Sequence, residues 1–111
     1  MMRFGLKESV ITQINTIFAQ FACVEKVLIY GSRAKGLPRP GSDIDLTMLG
    51  ENITYDDLLK ISLLLDDLLL PYSFDLSIYK QIDNPALLEH IKRVGAVFYR
   101  RLDLGQSNQP I

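Results

Sequence analysis

At 111 residues, with 48% hydrophobic and 23% charged side chains, the chain has room for one domain and one modest core of marginal stability. A formal net charge of -1 argues against a general nucleic-acid binder, whose phosphate contacts need a basic face, so no direct nucleic-acid partner is expected. The single cysteine, Cys23, excludes an internal disulfide framework and reads as a small buried apolar side chain in a reducing cytoplasm. No stretch resembles a secretory signal or an uninterrupted membrane span, so a cytoplasmic protein with no membrane partner is expected.

In chain order, Leu6, Val10, Ile14, Ile17, Phe18 and Phe21 recur at helical spacing and predict an amphipathic helix covering one face of a sheet. Val27-Leu28-Ile29-Tyr30 then reads as a buried strand ending at Gly31-Ser32. Glycine there lets backbone approach a phosphate closely, and Ser32 is expected to cap a short helical turn whose free N–H groups and positive dipole end would seat a triphosphate. Arg33, Lys35 and Arg39 add positive charge to the same loop.

After Pro38-Arg39-Pro40-Gly41-Ser42 the pattern alternates. Asp43, Asp45 and Thr47 point to one side of a strand, and Ile44, Leu46 and Met48 to the other. Asn52 or Thr54 starts a helix to about Leu69, with Asp56 and Asp57 in its first turn, and Pro71 stops it. Its inward stripe is read as Tyr55, Leu58, Leu59, Ser62, Leu65 and Leu69, while Ile61, Leu63, Leu64, Leu68 and Leu70 widen the apolar surface toward either a deeper sandwich or a partner.

A second alternating strand follows at Tyr72 to Tyr79, with Phe74, Leu76 and Ile78 inward and Asp75, Ser77 and Tyr79 opposite. The intervening helix is long enough for a crossover that sets the two strands side by side and parallel, bringing Asp75 to Asp43 and Asp45. Three like charges on one patch raise one another's pKa values and call for cations. Hard oxygen ligands beside a triphosphate favour two magnesium ions, or manganese.

Asn84 and Pro85 open a last helix that Gly95 ends, and Ala96-Val97-Phe98-Tyr99 reads as a short strand. His90 is read as a solvated surface residue and left out of the site. Lys92, Arg93, Arg100 and Arg101 are read as a solvated helix end or a docking patch for an acidic partner. The expected fold is a single α/β domain over residues 1–111, α+β-like, with a small mixed sheet and helices packed on it. The core spans about 6–101 and 102–111 form a loose tail.

Gly31-Ser32-Arg33-Ala34-Lys35-Gly36 through Ser42-Asp43-Ile44-Asp45-Leu46 resembles the signature of the polymerase β-type nucleotidyltransferase superfamily. The likeness is to its smallest members, the minimal nucleotidyltransferases of the MntA type, which end in a segment similar to residues 87–100. The resemblance implies that Gly31 and Ser32 hold the triphosphate, with Arg33 and Lys35 beside it. It implies too that Asp43, Asp45 and Asp75 bind two Mg2+ ions as the catalytic set, Asp75 being the candidate proton acceptor. Such proteins pair with a helical HEPN-type toxin, so the resemblance implies an antitoxin that transfers AMP from ATP to a toxin hydroxyl, that of a tyrosine, within a hetero-oligomer. Larger relatives that modify antibiotics or tRNA add a helical domain to seat the acceptor. This sequence shows none, so the acceptor site is expected to be shared with a partner. The alternative is a nucleotide-binding module that silences its partner by docking alone, and an enzyme acting on a small hydroxylated molecule ranks last.

Overall fold

Alternating apolar side chains build the sheet on which the rest of the protein is arranged. A computed structural model describes residues 2–36 and 43–101. The expectations for Arg39, for the 38–42 turn and for the tail at 102–111 fall outside that range. The elements run β1 (Met2–Arg3), β2 (Leu6–Lys7), α1 (Glu8–Ala19), β3 (Lys26–Tyr30), β4 (Ile44–Leu49), α2 (Tyr55–Asp66), β5 (Phe74–Ile78), a 3-10 turn (Tyr79–Gln81), α3 (Pro85–Val94) and β6 (Ala96–Arg100). Strands β1 and β2 form a small hairpin; the main sheet has the order β5-β4-β3-β6.

In that sheet β3 runs antiparallel to both β4 and β6, whereas β4 and β5 are parallel and joined through α2. The parallel crossover expected from the length between the two acidic strands is present, and it makes the sheet mixed. Val27, Ile29, Ile44, Leu46, Met48 and Ile78 belong to one buried cluster together with Ile11, Ile14, Ile17 and Phe18 of α1 and Ile61 and Leu65 of α2. Both helices therefore lie on one side of the sheet. The other parity of the same strands carries Tyr30, Asp45, Thr47, Asp75 and Ser77.

Helix boundaries follow local chemistry. Thr54 caps α2 in a full capping box: its hydroxyl accepts from the Asp57 amide, and the Asp57 carboxylate accepts from the Thr54 amide at 2.9 Å. Asn84 Oδ1 accepts from the amides of Ala86 and Leu87 at the start of α3, with Pro85 at its first position. Gly95 closes α3, its amide donating to the Ile91 carbonyl at 2.7 Å. Leu6, expected in α1, instead ends the hairpin in β2, where it is fully buried.

Two parts of the fold differ from expectation. Along α2 and the turn after it the core-facing positions are the buried Ile61 and Leu65 with the half-buried Leu58 and Leu68, rather than Tyr55, Leu59 and Leu69, which are 63%, 46% and 88% exposed. Leucine occupies so many successive positions that two stripes about one residue apart satisfy the helical period equally, and the sheet decides between them. Arg101 does not belong to a solvated patch. Its guanidinium donates to the carbonyls of Phe18, Ala19, Phe21 and Val24 at 2.7 to 3.4 Å, closing the C-terminal end of a helix that has no basic residue in its last turn.

Candidate active site

Strand register, rather than sequence proximity, assembles the site. Parallel pairing sets Asp45 opposite Asp75, and antiparallel pairing sets Tyr30 opposite Asp45. Residues directly opposite on adjacent strands share a face, so a tyrosine and two carboxylates from three strands form one row on the side away from α1 and α2. Asp43 lies exposed just before β4, on the same parity as Asp45. Deeper along the row, Ser77 Oγ donates to Thr47 Oγ1 at 2.9 Å.

The electrostatics record this crowding. Burial pushes the Asp45 carboxyl up to about 6, the charges of Asp75 and then Asp43 push in the same direction, and the Arg33 guanidinium opposes them. The Tyr30 phenol is raised as well, by burial first and by Asp75 next, against a hydrogen bond with Ser77. Charges of all three aspartates therefore meet at Asp45, and a cation there would relieve their repulsion. Among the described residues no three His, Cys, Asp or Glu side chains stand close enough to enclose a metal. The donor set fits a hard divalent cation by its oxygen chemistry only if other oxygens, such as those of a phosphate, complete the shell.

Gly31 adjoins this row. Its φ is +79°, and a Cβ placed on it would lie 2.3 Å from Asp45 Oδ2. Glycine is required for both reasons, the left-handed backbone and the approach of the carboxylate. Beyond it, residues 32–36 form a short turn, as expected after Gly31. The Lys35 amide donates to the Gly31 carbonyl and the Gly36 amide to the Arg33 carbonyl, both at 3.2 Å. Ser32 and Lys35 are exposed on this turn.

Arg33 is placed differently from its loop neighbours. Only 3% exposed, it donates from Nη1 to the Phe4 carbonyl at 3.0 Å and lies over the Tyr72 ring at 5.0 Å. Its charge thus reaches Asp45 from below the turn, and the side chain ties the turn to the hairpin.

Residues 12–103 match the family described as Polymerase beta, Nucleotidyltransferase. The chain belongs to the polymerase beta nucleotidyltransferase family. No curated protein matches it. Among solved structures, one assigned as a minimal nucleotidyltransferase is 26% identical, with a TM-score of 0.64 over 86% of this chain and 95% of that one. A toxin–antitoxin structure with AMP-PNP is 18% identical, TM-score 0.66, covering 86% and 75% of the two chains. A structure of a tri-AMPylated Shewanella oneidensis HEPN toxin in complex with MNT antitoxin is 13% identical, TM-score 0.62, covering 92% and 76%. At such identities these last two show the nucleotidyltransferase fold alone.

Two residues of the candidate site in this nucleotidyltransferase were not expected from the sequence. Tyr30 looked like the last residue of an apolar strand. Its position directly before Gly31, at the parity that pairs with Asp45, was the available signal. His90 does not stand on a solvated surface as expected. It is half-buried, accepts a hydrogen bond from the Gly31 amide on Nε2 at 3.3 Å, and meets the Tyr30 ring edge-on with centroids 6.2 Å apart. No local pattern around Glu89-His90-Ile91 announces this, because the contact spans 59 residues and depends on where α3 docks.

Proposed function

We propose that this nucleotidyltransferase moves the AMP group of ATP onto a hydroxyl of a HEPN-type toxin, with a tyrosine as acceptor, and so acts as the antitoxin of the pair. The observation that carries the transfer chemistry is the Asp45–Asp75 register pair standing against the Gly31 turn. The partner assignment draws on the neighbours: related folds occur in toxin–antitoxin structures, one with AMP-PNP and one with a tri-AMPylated HEPN toxin.

In this reading the turn at 31–36 receives the triphosphate, with Ser32 and Lys35 facing the outer phosphates. The acceptor oxygen attacks the α-phosphorus, the bond to the bridging oxygen of pyrophosphate breaks, and the hydroxyl proton passes to a carboxylate of the Asp45–Asp75 pair. Asp75 is the assigned acceptor, exposed at the outer end of the row. The close approach of Asp45 to Gly31 fixes one carboxylate relative to the phosphate seat, which is the positioning this chemistry depends on. Asp43, Asp45 and Asp75 would hold Mg2+, which when bound supplies charge neutralisation for the triphosphate and the leaving pyrophosphate.

Away from the site, Tyr55, Leu59 and Leu63 recur every four residues on the outer side of α2 and remain exposed. We assign this stripe to the toxin interface, since it covers no part of the core and small domains seldom leave such a row bare.

The test is intact-mass spectrometry of the toxin co-expressed with this chain. An increment of one or more adenylyl groups with the wild type, and none with an Asp45→Asn, Asp75→Asn variant, is the expected result. Persisting inhibition of an unmodified toxin would instead identify a docking module.

A further inference from the structure

We propose that His90 is a positioning residue for the phosphate-binding turn: as a neutral Nδ1–H imidazole it holds Gly31 through the Gly31 amide, and nucleotide affinity depends on that acceptor. The inference rests on the reading of residues 31–36 as the phosphate seat.

The need for such a residue follows from the backbone. The β3–β4 register ends at the Tyr30–Asp45 pair and the β3–β6 register ends at Ile29–Ala96, so Gly31 lies one residue past the first ladder and two past the second. Its amide must find a partner elsewhere, because a half-buried backbone donor left alone costs about as much as a lost hydrogen bond. His90 Nε2 is that partner at 3.3 Å. An imidazole nitrogen that accepts carries no proton, so the ring proton sits on Nδ1.

Gly31 is also where precision matters most. Its amide is bound by His90, its carbonyl by Lys35, and its Cα passes close against the Asp45 carboxylate. A shift of the amide therefore moves both the turn and its spacing from Asp45. The support for His90 is itself firm. It sits on a helix capped by Asn84 at one end and closed by Gly95 at the other, where a Cβ would lie 2.4 Å from the Ile91 carbonyl oxygen. The neighbouring Ile91 is buried, pinning that turn of α3 to the protein. A rigid element thus delivers one acceptor to one otherwise unpaired donor, while Tyr30, the edge-on partner of the ring, continues directly into Gly31.

Two substitutions separate the ring contact from the acceptor. His90→Phe keeps an aromatic ring for Tyr30 and removes the acceptor, whereas His90→Gln places an amide oxygen near the position of Nε2 and removes the ring. ATP affinity of the purified full-length chain with Mg2+, measured by calorimetry, should fall roughly tenfold in His90→Phe and recover to within about threefold of wild type in His90→Gln. In single-turnover transfer the loss should fall on KM, with kcat preserved. Because the chain contains one histidine, a long-range 1H–15N spectrum reports its tautomer without ambiguity, and the expected form is Nδ1-protonated. An Nε2-protonated ring, wild-type affinity in His90→Phe, or no recovery in His90→Gln would each overturn the proposal. If the wild-type chain bound no ATP at all, the phosphate-seat reading itself would fail, and the tautomer would still decide whether the His90–Gly31 bond exists.

Discussion

Gly31 and Asp45 are fitted so closely that a single methyl group on the glycine would lie 2.3 Å from the carboxylate oxygen Oδ2. Gly31→Ala should therefore act twice. The left-handed φ of +79° costs an alanine about 1–2 kcal/mol, and the displaced carboxylate leaves its place beside Asp75. Chemical denaturation of Gly31→Ala should show a loss greater than that backbone part alone, with transfer activity falling at least tenfold. In an Asp45→Ala background only the backbone part should remain, so a double-mutant cycle that returns strict additivity would refute the contact.

Asp45 carries a pH signature whose sign is opposite to that of a salt-bridged carboxylate. Its folded pKa, about 6, lies above the ordinary value near 3.9, so the folded state binds the proton more tightly than the unfolded one. Ionised Asp45 therefore costs stability at pH 7.5, and the cost is relieved as pH falls through about 6. In metal-free buffer, Asp45→Asn should raise Tm at pH 7.5 by a few degrees, and the advantage should shrink by pH 5. Thermal scans of the two proteins giving the same difference at both pH values would contradict the assigned shift.

Arg33 opposes that shift from a buried position. Arg33→Met removes the guanidinium from the Phe4 carbonyl and from the Tyr72 ring, and should destabilise the protein by about 2–3 kcal/mol. It should also drive the Asp45 pKa further up, since the guanidinium charge that lowers it would be gone. Carbon-13 NMR of labelled aspartate side chains follows this directly. Arg33→Lys should not restore the wild type, because an ammonium lacks the planar fork that serves both contacts.

The clasp formed by Arg101 is structural and distant from the site. Arg101→Ala removes the donor shared by the carbonyls at and just beyond the end of α1 and should cost about 1–3 kcal/mol, while ATP affinity measured well below the transition remains unchanged. Loss of ATP binding by a still-folded Arg101→Ala protein would tie this end of the fold to the site against expectation.

On α2, Leu59→Ser with Leu63→Ser should leave Tm within about a degree of wild type, since both side chains are exposed, yet weaken toxin binding by roughly tenfold or more. Unchanged affinity in a pull-down titration would place the interface elsewhere.

What the sequence revealed, and what it hid, divides along physical lines. The pairing of Asp45 with Asp75 was readable because two period-2 strands separated by one helix leave a parallel crossover as the short route between them. The cap at Asn84 and the stop at Gly95 are local chemistry and were equally legible, and the cap of α2 was narrowed to Asn52 or Thr54, of which Thr54 is the one used. The buried stripe of α2 was not, since consecutive leucines satisfy more than one helical face. Neither was the inward course of Arg33 nor the long-range reach of His90 and Arg101, because each depends on which backbone groups distant elements leave without partners.

The proposed nucleotide transfer has its seat at the Asp45–Asp75 pair. Its most direct measurement is transfer of label from α-32P-ATP to the purified toxin in the presence of Mg2+, comparing the wild-type chain with folded Asp45→Asn and Asp75→Asn variants. Label on the toxin is expected with the wild type, and a loss of at least about a hundredfold with either variant. Undiminished labelling by both variants, or none by the wild type, would contradict it.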